Sequence, residues 1–144
     1  MDTEEQQREL LKKIIWELGN YKGRYNIAGS AALILRYEVN LQRNVTDIDI
    51  VVAHRDLPVF YQLFESLNYG AGESRGSGSS GGTFLVPGYK TNIDLLYHDD
   101  ETELGNGIWH PFCSIIAIKT KLARLGLAKH IHDLDTINAQ FLRR

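Results

Sequence analysis

The chain has 144 residues, enough for one domain with a buried core, and its formal net charge of −2 excludes a general attraction to nucleic acid or anionic membranes. Its hydrophobic content of 43% is typical of a soluble globular protein, and no apolar run approaches the roughly 20 residues that span a bilayer. A single cysteine, Cys113, excludes an intramolecular disulfide and a zinc site built from several cysteines. The N-terminus is acidic and lacks the basic-then-apolar order of a signal peptide, so we expect a single cytoplasmic domain over residues 1–144.

Hydrophobic periodicity predicts helices and strands along most of the chain. Apolar residues at helical spacing predict helices over residues 4–18, 30–36, 57–68, 113–126 and 130–142. Short apolar runs between turn residues predict strands over residues 25–28, 48–52, 84–86 and 91–97. This order favours an α/β or α+β fold, in which helices cover a small mixed sheet mainly on one side. The first helix would form a lid over one face of that sheet.

Residues 70–83 have an unusual composition, with six glycines and four serines among fourteen positions. Such a segment is typical of a flexible loop without a packed core, and we expect a mobile connection within a hairpin. The alternative is an artificial linker that replaces a native loop. A phosphate-binding role has less support, because the segment lacks the G-x-x-x-x-G-K-[ST] pattern.

Three aspartates on two predicted strands are candidate metal ligands. Asp47 and Asp49 are two residues apart on one strand, so their side chains point to the same face. Asp94 lies among apolar residues on another strand, where a carboxylate without a partner is costly. Carboxylate oxygens bind Mg²⁺ or Mn²⁺, and two such ions can activate an attacking hydroxyl and stabilise a leaving pyrophosphate. We therefore predict that Asp47, Asp49 and Asp94 form a catalytic metal site.

Further residues are candidates for binding the phosphates of a nucleoside triphosphate. Gly29 and Ser30 begin a predicted helix, where backbone N–H groups and a hydroxyl can bind a phosphate. Arg43 and Lys121 are candidate partners for the triphosphate charge. Each polar side chain has a structural alternative: Ser30 as a helix N-cap, Arg43 in a local ion pair, and Lys121 as a surface lysine above apolar neighbours. A metal cluster of His130, His132 and Asp133 on the last predicted helix has less support, because side chains two positions apart on a helix diverge, and we expect these residues at the surface.

Several short segments resemble the signature of a known superfamily. The segments IAGS (residues 27–30) and TDIDI (residues 46–50) resemble the hydrophobic-Gly-[Gly/Ser]…Asp-x-Asp signature of the DNA polymerase beta-like nucleotidyltransferases, and IDL (residues 93–95) is similar to their third acidic strand. The segments KLA (residues 121–123) and HDL (residues 132–134) are similar to stand-alone members related to abortive-infection and toxin–antitoxin systems. The chain departs from the pattern in two places. Sixteen residues separate Ser30 from Asp47, more than the commoner spacing, and Thr136 stands where relatives have a second acid.

The resemblance implies a nucleotidyltransferase fold, a divalent metal, an NTP donor and transfer of a nucleoside monophosphate to a hydroxyl group. The acceptor would be a protein, an RNA such as tRNA, or a small molecule. The alternative function is a catalytically silent partner protein, antitoxin-like or a scaffold, with the hydrophobic helix over residues 4–18 as its interface to another protein or a second copy. The acidic residues of the segment 99–103 would line a pocket for a basic small molecule, although a solvated loop is the simpler interpretation.

Overall fold

The structure, a computed structural model, describes residues 3–17, 25–42, 45, 47–72, 80–98 and 115–142. Within these residues the helices are α1 (Thr3–Glu17), α2 (Gly29–Leu35), α3 (Leu57–Ser66), α4 (Ile115–Leu125) and α5 (Ala128–Leu142). The strands are β1 (Tyr25–Ala28), β2 (Asp47–Ala53), β3 (Gly70–Gly72), β4 (Ser80–Leu85) and β5 (Asn92–His98). Among the residues that the structure describes, none of the helices combines the length and the apolar character that crossing a bilayer requires.

In the described part of the chain, the strands form a five-stranded sheet in the order β1-β2-β5-β4-β3. β2 and β5 are parallel, whereas the pairs β1–β2, β4–β5 and β3–β4 are antiparallel. The sheet is therefore mixed, and the predicted α+β architecture is confirmed. The parallel pairing places β5 directly beside β2, although α3 and two strands separate them in the sequence.

The two faces of the sheet differ because side chains alternate along each strand. On one face, Ile48 and Ile50 of β2 and Ile93 of β5 are completely buried. They belong to a hydrophobic core that includes helix residues of α1 and α3, namely Leu10, Leu11, Ile14, Phe60 and Phe64. The predicted role of the first helix as a lid over the sheet is confirmed. Since Leu10, Leu11 and Ile14 lie in this core, these three residues are not available as the interface expected for a silent partner protein, whereas Ile15 of the same helix is exposed.

A second hydrophobic cluster joins α4 and α5 to α2 and to the segment that follows α2. Its buried members are Ala32, Leu33, Val39, Leu41, Val45, Ile118 and Ile137. Two hydrogen bonds reinforce the contact, because the Gln140 side chain accepts from the Asn40 backbone N–H at 3.0 Å and donates to the Asn40 carbonyl at 2.6 Å. Asp133 of α5 is only 2% exposed, so its predicted surface position is wrong. This packing holds α4 beside α2.

The loop predicted over residues 70–83 is corrected at both ends, because residues 70–72 form β3 and residues 80–85 form β4. Residues 73–79 lie outside the described residues. Glycine composition suggested flexibility, but glycine also permits close packing of backbones. A Cβ on Gly81 would stand 3.2 Å from the Leu95 carbonyl oxygen and 2.8 Å from Cδ2 of Leu57. The absence of a side chain at Gly81 therefore lets β4 lie against β5.

Candidate functional site

Four residues on four neighbouring strands lie side by side across the polar face of the sheet. Ala28 of β1 is paired with Asp49 of β2, Asp49 with Asp94 of β5, and Asp94 with Thr83 of β4. Their side chains share one face because paired residues in a sheet project in the same direction. Strand register alone therefore brings two of the predicted acids next to each other.

Gly29 lies where β1 turns into α2, and Asp49 approaches its backbone closely. The φ angle of Gly29 is +59°, in the left-handed region that favours glycine. A Cβ placed on Gly29 would clash with Oδ2 of Asp49 and would stand 3.4 Å from its Cγ. Both the backbone conformation and the available space therefore require glycine at this position.

Ser30 lies in the first turn of α2 and is half-buried. The N-cap position of this helix is Ala28, without a side-chain capping bond, so the interpretation of Ser30 as the N-cap is wrong. Ser30 directly follows the glycine that contacts Asp49. The two residues predicted to bind phosphate therefore lie next to the acidic pair.

The electrostatics of Asp49 reflect its crowded surroundings. Although part of the residue is exposed, protein atoms enclose its carboxyl group, and this burial is the largest cause of a pKa raised from 3.8 to about 7. The negative charges of Asp94 and Asp47 and a hydrogen bond with the Asp94 side chain also raise the pKa, while the Lys121 ammonium lowers it. In the protein without metal, Asp49 thus binds a proton up to neutral pH.

Asp47 and Lys121 both lie within electrostatic reach of Asp49, on different elements. Asp47 begins β2 and is paired in register with Asn92 of β5. Gln7 of α1, completely buried, donates through Nε2 to the Asp47 carbonyl at 3.2 Å. Lys121 is half-buried on α4. The structure therefore brings these two predicted residues to the same site, while Arg43 lies outside the described residues, as does the acidic segment 99–103.

Thr83 belongs to the site and was missed by sequence reasoning. It is 7% exposed, and its hydroxyl donates a 2.6 Å hydrogen bond to Oδ1 of Asp94. The predicted strand began at Phe84, and Thr83 was assigned to the flexible loop. Thr83 directly precedes the apolar run and is β-branched, a residue type favoured in strands, and this was the signal that could have extended the strand by one residue.

The acidic pair fits a hard divalent cation by its chemistry, but the described side chains do not form a ready cluster. Mg²⁺ and Mn²⁺ bind carboxylate oxygens, and a bound cation would offset the repulsion between two adjacent carboxylates. Among the described residues, no group of three or more His, Cys, Asp or Glu side chains converges as a metal site. Asp47 and Asp49 of β2, with Asp94 beside Asp49, are therefore the residues that would hold the ion.

Two solved structures are similar to the chain over most of its length. The solution structure of the antibiotic-resistance factor ANT(2'')-Ia has a TM-score of 0.66 and 17% sequence identity, with 98% of this chain and 86% of that chain covered. The crystal structure of the candidate nucleotidyltransferase TM1012 from Thermotoga maritima has a TM-score of 0.56 and 16% identity, with 94% of this chain and 92% of that chain covered. No protein-family model and no curated protein matches the sequence. The likeness to these two structures shows that the chain has the nucleotidyltransferase fold.

Proposed function

We propose that the protein is a metal-dependent nucleotidyltransferase, which moves a nucleoside monophosphate from an NTP to a hydroxyl group of an acceptor. One observation carries the proposal: in a nucleotidyltransferase fold, Asp49 and Asp94 lie side by side on adjacent parallel strands. The pKa of Asp49, raised to about 7, supports a functional role, because strongly perturbed carboxyl groups concentrate at functional sites.

The proposed roles follow from where the side chains lie. Asp47 and Asp49 would hold Mg²⁺ or Mn²⁺, which, when bound, neutralises phosphate charge and polarises the phosphoryl group. The acceptor oxygen would attack the α-phosphorus of the NTP, and the bond between this phosphorus and pyrophosphate would break. Asp94, at the side of Asp49, would complete the site and accept the proton of the attacking hydroxyl.

The donor phosphates are proposed to bind between the β1–α2 turn and α4. Gly29 and Ser30 lie beside the acidic pair at the start of α2, and Lys121 contributes positive charge close enough to lower the pKa of Asp49. Arg43 is proposed to add a second positive charge. Positive groups on this side would balance a triphosphate that the three carboxylates alone would repel.

We propose a small hydroxyl-bearing compound as the acceptor, ahead of RNA or protein. The support is the likeness to ANT(2'')-Ia, an antibiotic-resistance factor, along 98% of this chain. The net charge of −2 also gives the chain no general attraction to the phosphate backbone of RNA.

The test has a binding arm and a turnover arm. Calorimetry should detect binding of Mn²⁺ with a non-hydrolysable NTP to the wild type and to Asp135→Asn, an exposed carboxylate on α5 that serves as the matched control. Asp47→Asn and Asp49→Asn should each abolish that binding. Wild-type binding in both variants would refute the metal assignment.

The turnover arm would incubate the wild type with each labelled NTP and one of three acceptor pools: hydroxyl-bearing small molecules including aminoglycosides, total RNA, or protein extract. Label transfer to a small molecule, absent with Asp49→Asn, is the expected result. Transfer only to RNA or protein would refute the proposed acceptor class, and no transfer to any pool would favour a silent partner protein.

A further inference from the structure

We infer that Thr83 is a positioning residue for Asp94, an inference that rests on the proposed function. Thr83 is the residue of β4 paired directly with Asp94 of β5. Its hydroxyl donates to Oδ1 of Asp94 over 2.6 Å, and the residue is 7% exposed. Because this hydrogen bond is short and Thr83 is buried, water competes little for the carboxylate oxygen. The bond therefore holds the carboxylate in one orientation.

The contacts of Thr83 on its other side explain why its hydroxyl faces Asp94. A Cβ built on Gly72 of β3 would stand 3.3 Å from Cγ2 of Thr83, so the Thr83 methyl group lies against the Gly72 backbone. The methyl thus faces β3 and the hydroxyl faces β5. Because a β-branched side chain has few χ1 choices, contact of the methyl with β3 restricts the hydroxyl to the direction of Asp94.

The two oxygens of the Asp94 carboxylate therefore have different roles. Oδ1 accepts the hydrogen bond donated by the Thr83 hydroxyl, and rotation of the carboxylate would break that bond. Oδ2 is thereby directed for the chemistry proposed above, which is contact with the cation and acceptance of the acceptor's proton. Partners that orient a ligating carboxylate in this way commonly contribute about 10- to 100-fold in metal affinity or activity.

The experiment compares Thr83→Val, Thr83→Ser and a matched control. Thr83→Val keeps the branched shape and removes the hydroxyl, whereas Thr83→Ser keeps the hydroxyl and removes the methyl. Thr91→Val is the control, because Thr91 is also buried, while its hydroxyl has no hydrogen-bond partner among the residues that the structure describes. Mn²⁺ affinity is read by electron paramagnetic resonance, and kcat and KM are read in the turnover assay.

We expect Thr83→Val to lower Mn²⁺ affinity and kcat by about 10- to 100-fold with little change in KM for the NTP. Thr83→Ser should recover most of both losses, and Thr91→Val should behave like the wild type. A merely structural role for Thr83 would instead lower the fraction of folded protein without this split between kcat and KM. Wild-type affinity and kcat in Thr83→Val would overturn the inference.

A second readout separates this inference from the proposed function. In the metal-free protein, the ¹³Cγ resonance of Asp94 should shift in Thr83→Val, stay near its wild-type position in Thr83→Ser, and be unaffected by Thr91→Val. If the wild type binds neither Mn²⁺ nor NTP, the proposed function is refuted independently of the role of Thr83. The carboxyl resonance then still decides whether Thr83 orients Asp94, and an unshifted resonance in Thr83→Val would refute that orientation.

Discussion

Substitution of Gly29 by alanine tests the close approach between the β1–α2 turn and Asp49. The φ angle of +59° would cost any L-residue about 1–2 kcal/mol. In addition, the new methyl group would clash with Oδ2 of Asp49. Forcing an extra methyl group into a packed site typically costs about 1–3 kcal/mol, because neighbouring atoms must move. Gly29→Ala should therefore lower the free energy of unfolding by about 2–5 kcal/mol.

Gly126 offers a matched control for the backbone component of that loss. Its φ angle is +64°, and a Cβ there would lie 3.8 Å from the Ala123 carbonyl oxygen, an ordinary van der Waals contact. Gly126→Ala should thus lose only about 1–2 kcal/mol. Urea unfolding at neutral pH with EDTA would measure both variants. Since Asp49 must move in Gly29→Ala, Mn²⁺ affinity without NTP should also fall in that variant and remain unchanged in Gly126→Ala.

Equal losses of stability in the two variants would refute the reasoning about space around Asp49. So would wild-type Mn²⁺ affinity in Gly29→Ala, because the clash requires displacement of a proposed metal ligand. Measurement of the metal without NTP keeps the result independent of any role of Gly29 in phosphate binding.

Two further predictions concern pH and the start of β2. Because the pKa of Asp49 is about 7 in the folded protein against an ordinary 3.8, the folded state binds an additional proton between these values, and the metal-free protein should lose stability as pH rises from about 4 to 7. The free energy of unfolding should fall by no more than about 1.4 kcal/mol per pH unit. Urea unfolding should show this pH dependence reduced in Asp49→Asn and unchanged in Asp135→Asn. Gln7 donates to two backbone carbonyls, that of Val45 just before β2 at 3.0 Å and that of Asp47 at 3.2 Å, so Gln7→Leu should lose about 1–3 kcal/mol of stability in the same assay. Gln6→Leu, which loses one exposed bond, should lose less than about 1 kcal/mol, and an equal loss would contradict the proposed role of Gln7.

Local patterns in the sequence predicted most elements of the fold to within a few residues. The strand over 25–28 was predicted with its observed bounds, and the strand over 48–52 is one residue longer at each end in β2. These predictions succeed because apolar periodicity reflects which side chains each element buries. The largest error, at residues 70–72 and 80–83, arose because glycine composition does not distinguish a flexible segment from packed strand residues.

Positions that depend on contacts between distant segments were beyond such patterns. Gln7 looked like an ordinary residue of a helix surface, yet it is completely buried because α1 crosses the start of β2. Asp133 looked like a surface acid and is buried where α5 packs against the rest of the domain. In both cases burial depends on contact with another part of the chain, which a local stretch of sequence does not reveal.

The sequence by itself determined that Asp47 and Asp49 share a face, because strand side chains alternate with a period of two. It also predicted the turn between β1 and α2, because Gly29 follows an apolar run and precedes a helix. Tertiary structure alone decided that Asp49 lies next to Asp94 and that Thr83 completes the row. Register between strands far apart in the chain is selected by the packing of their opposite faces, here Ile48 and Ile50 with the core beneath the sheet, and a shift by one residue would have turned the acids away from each other.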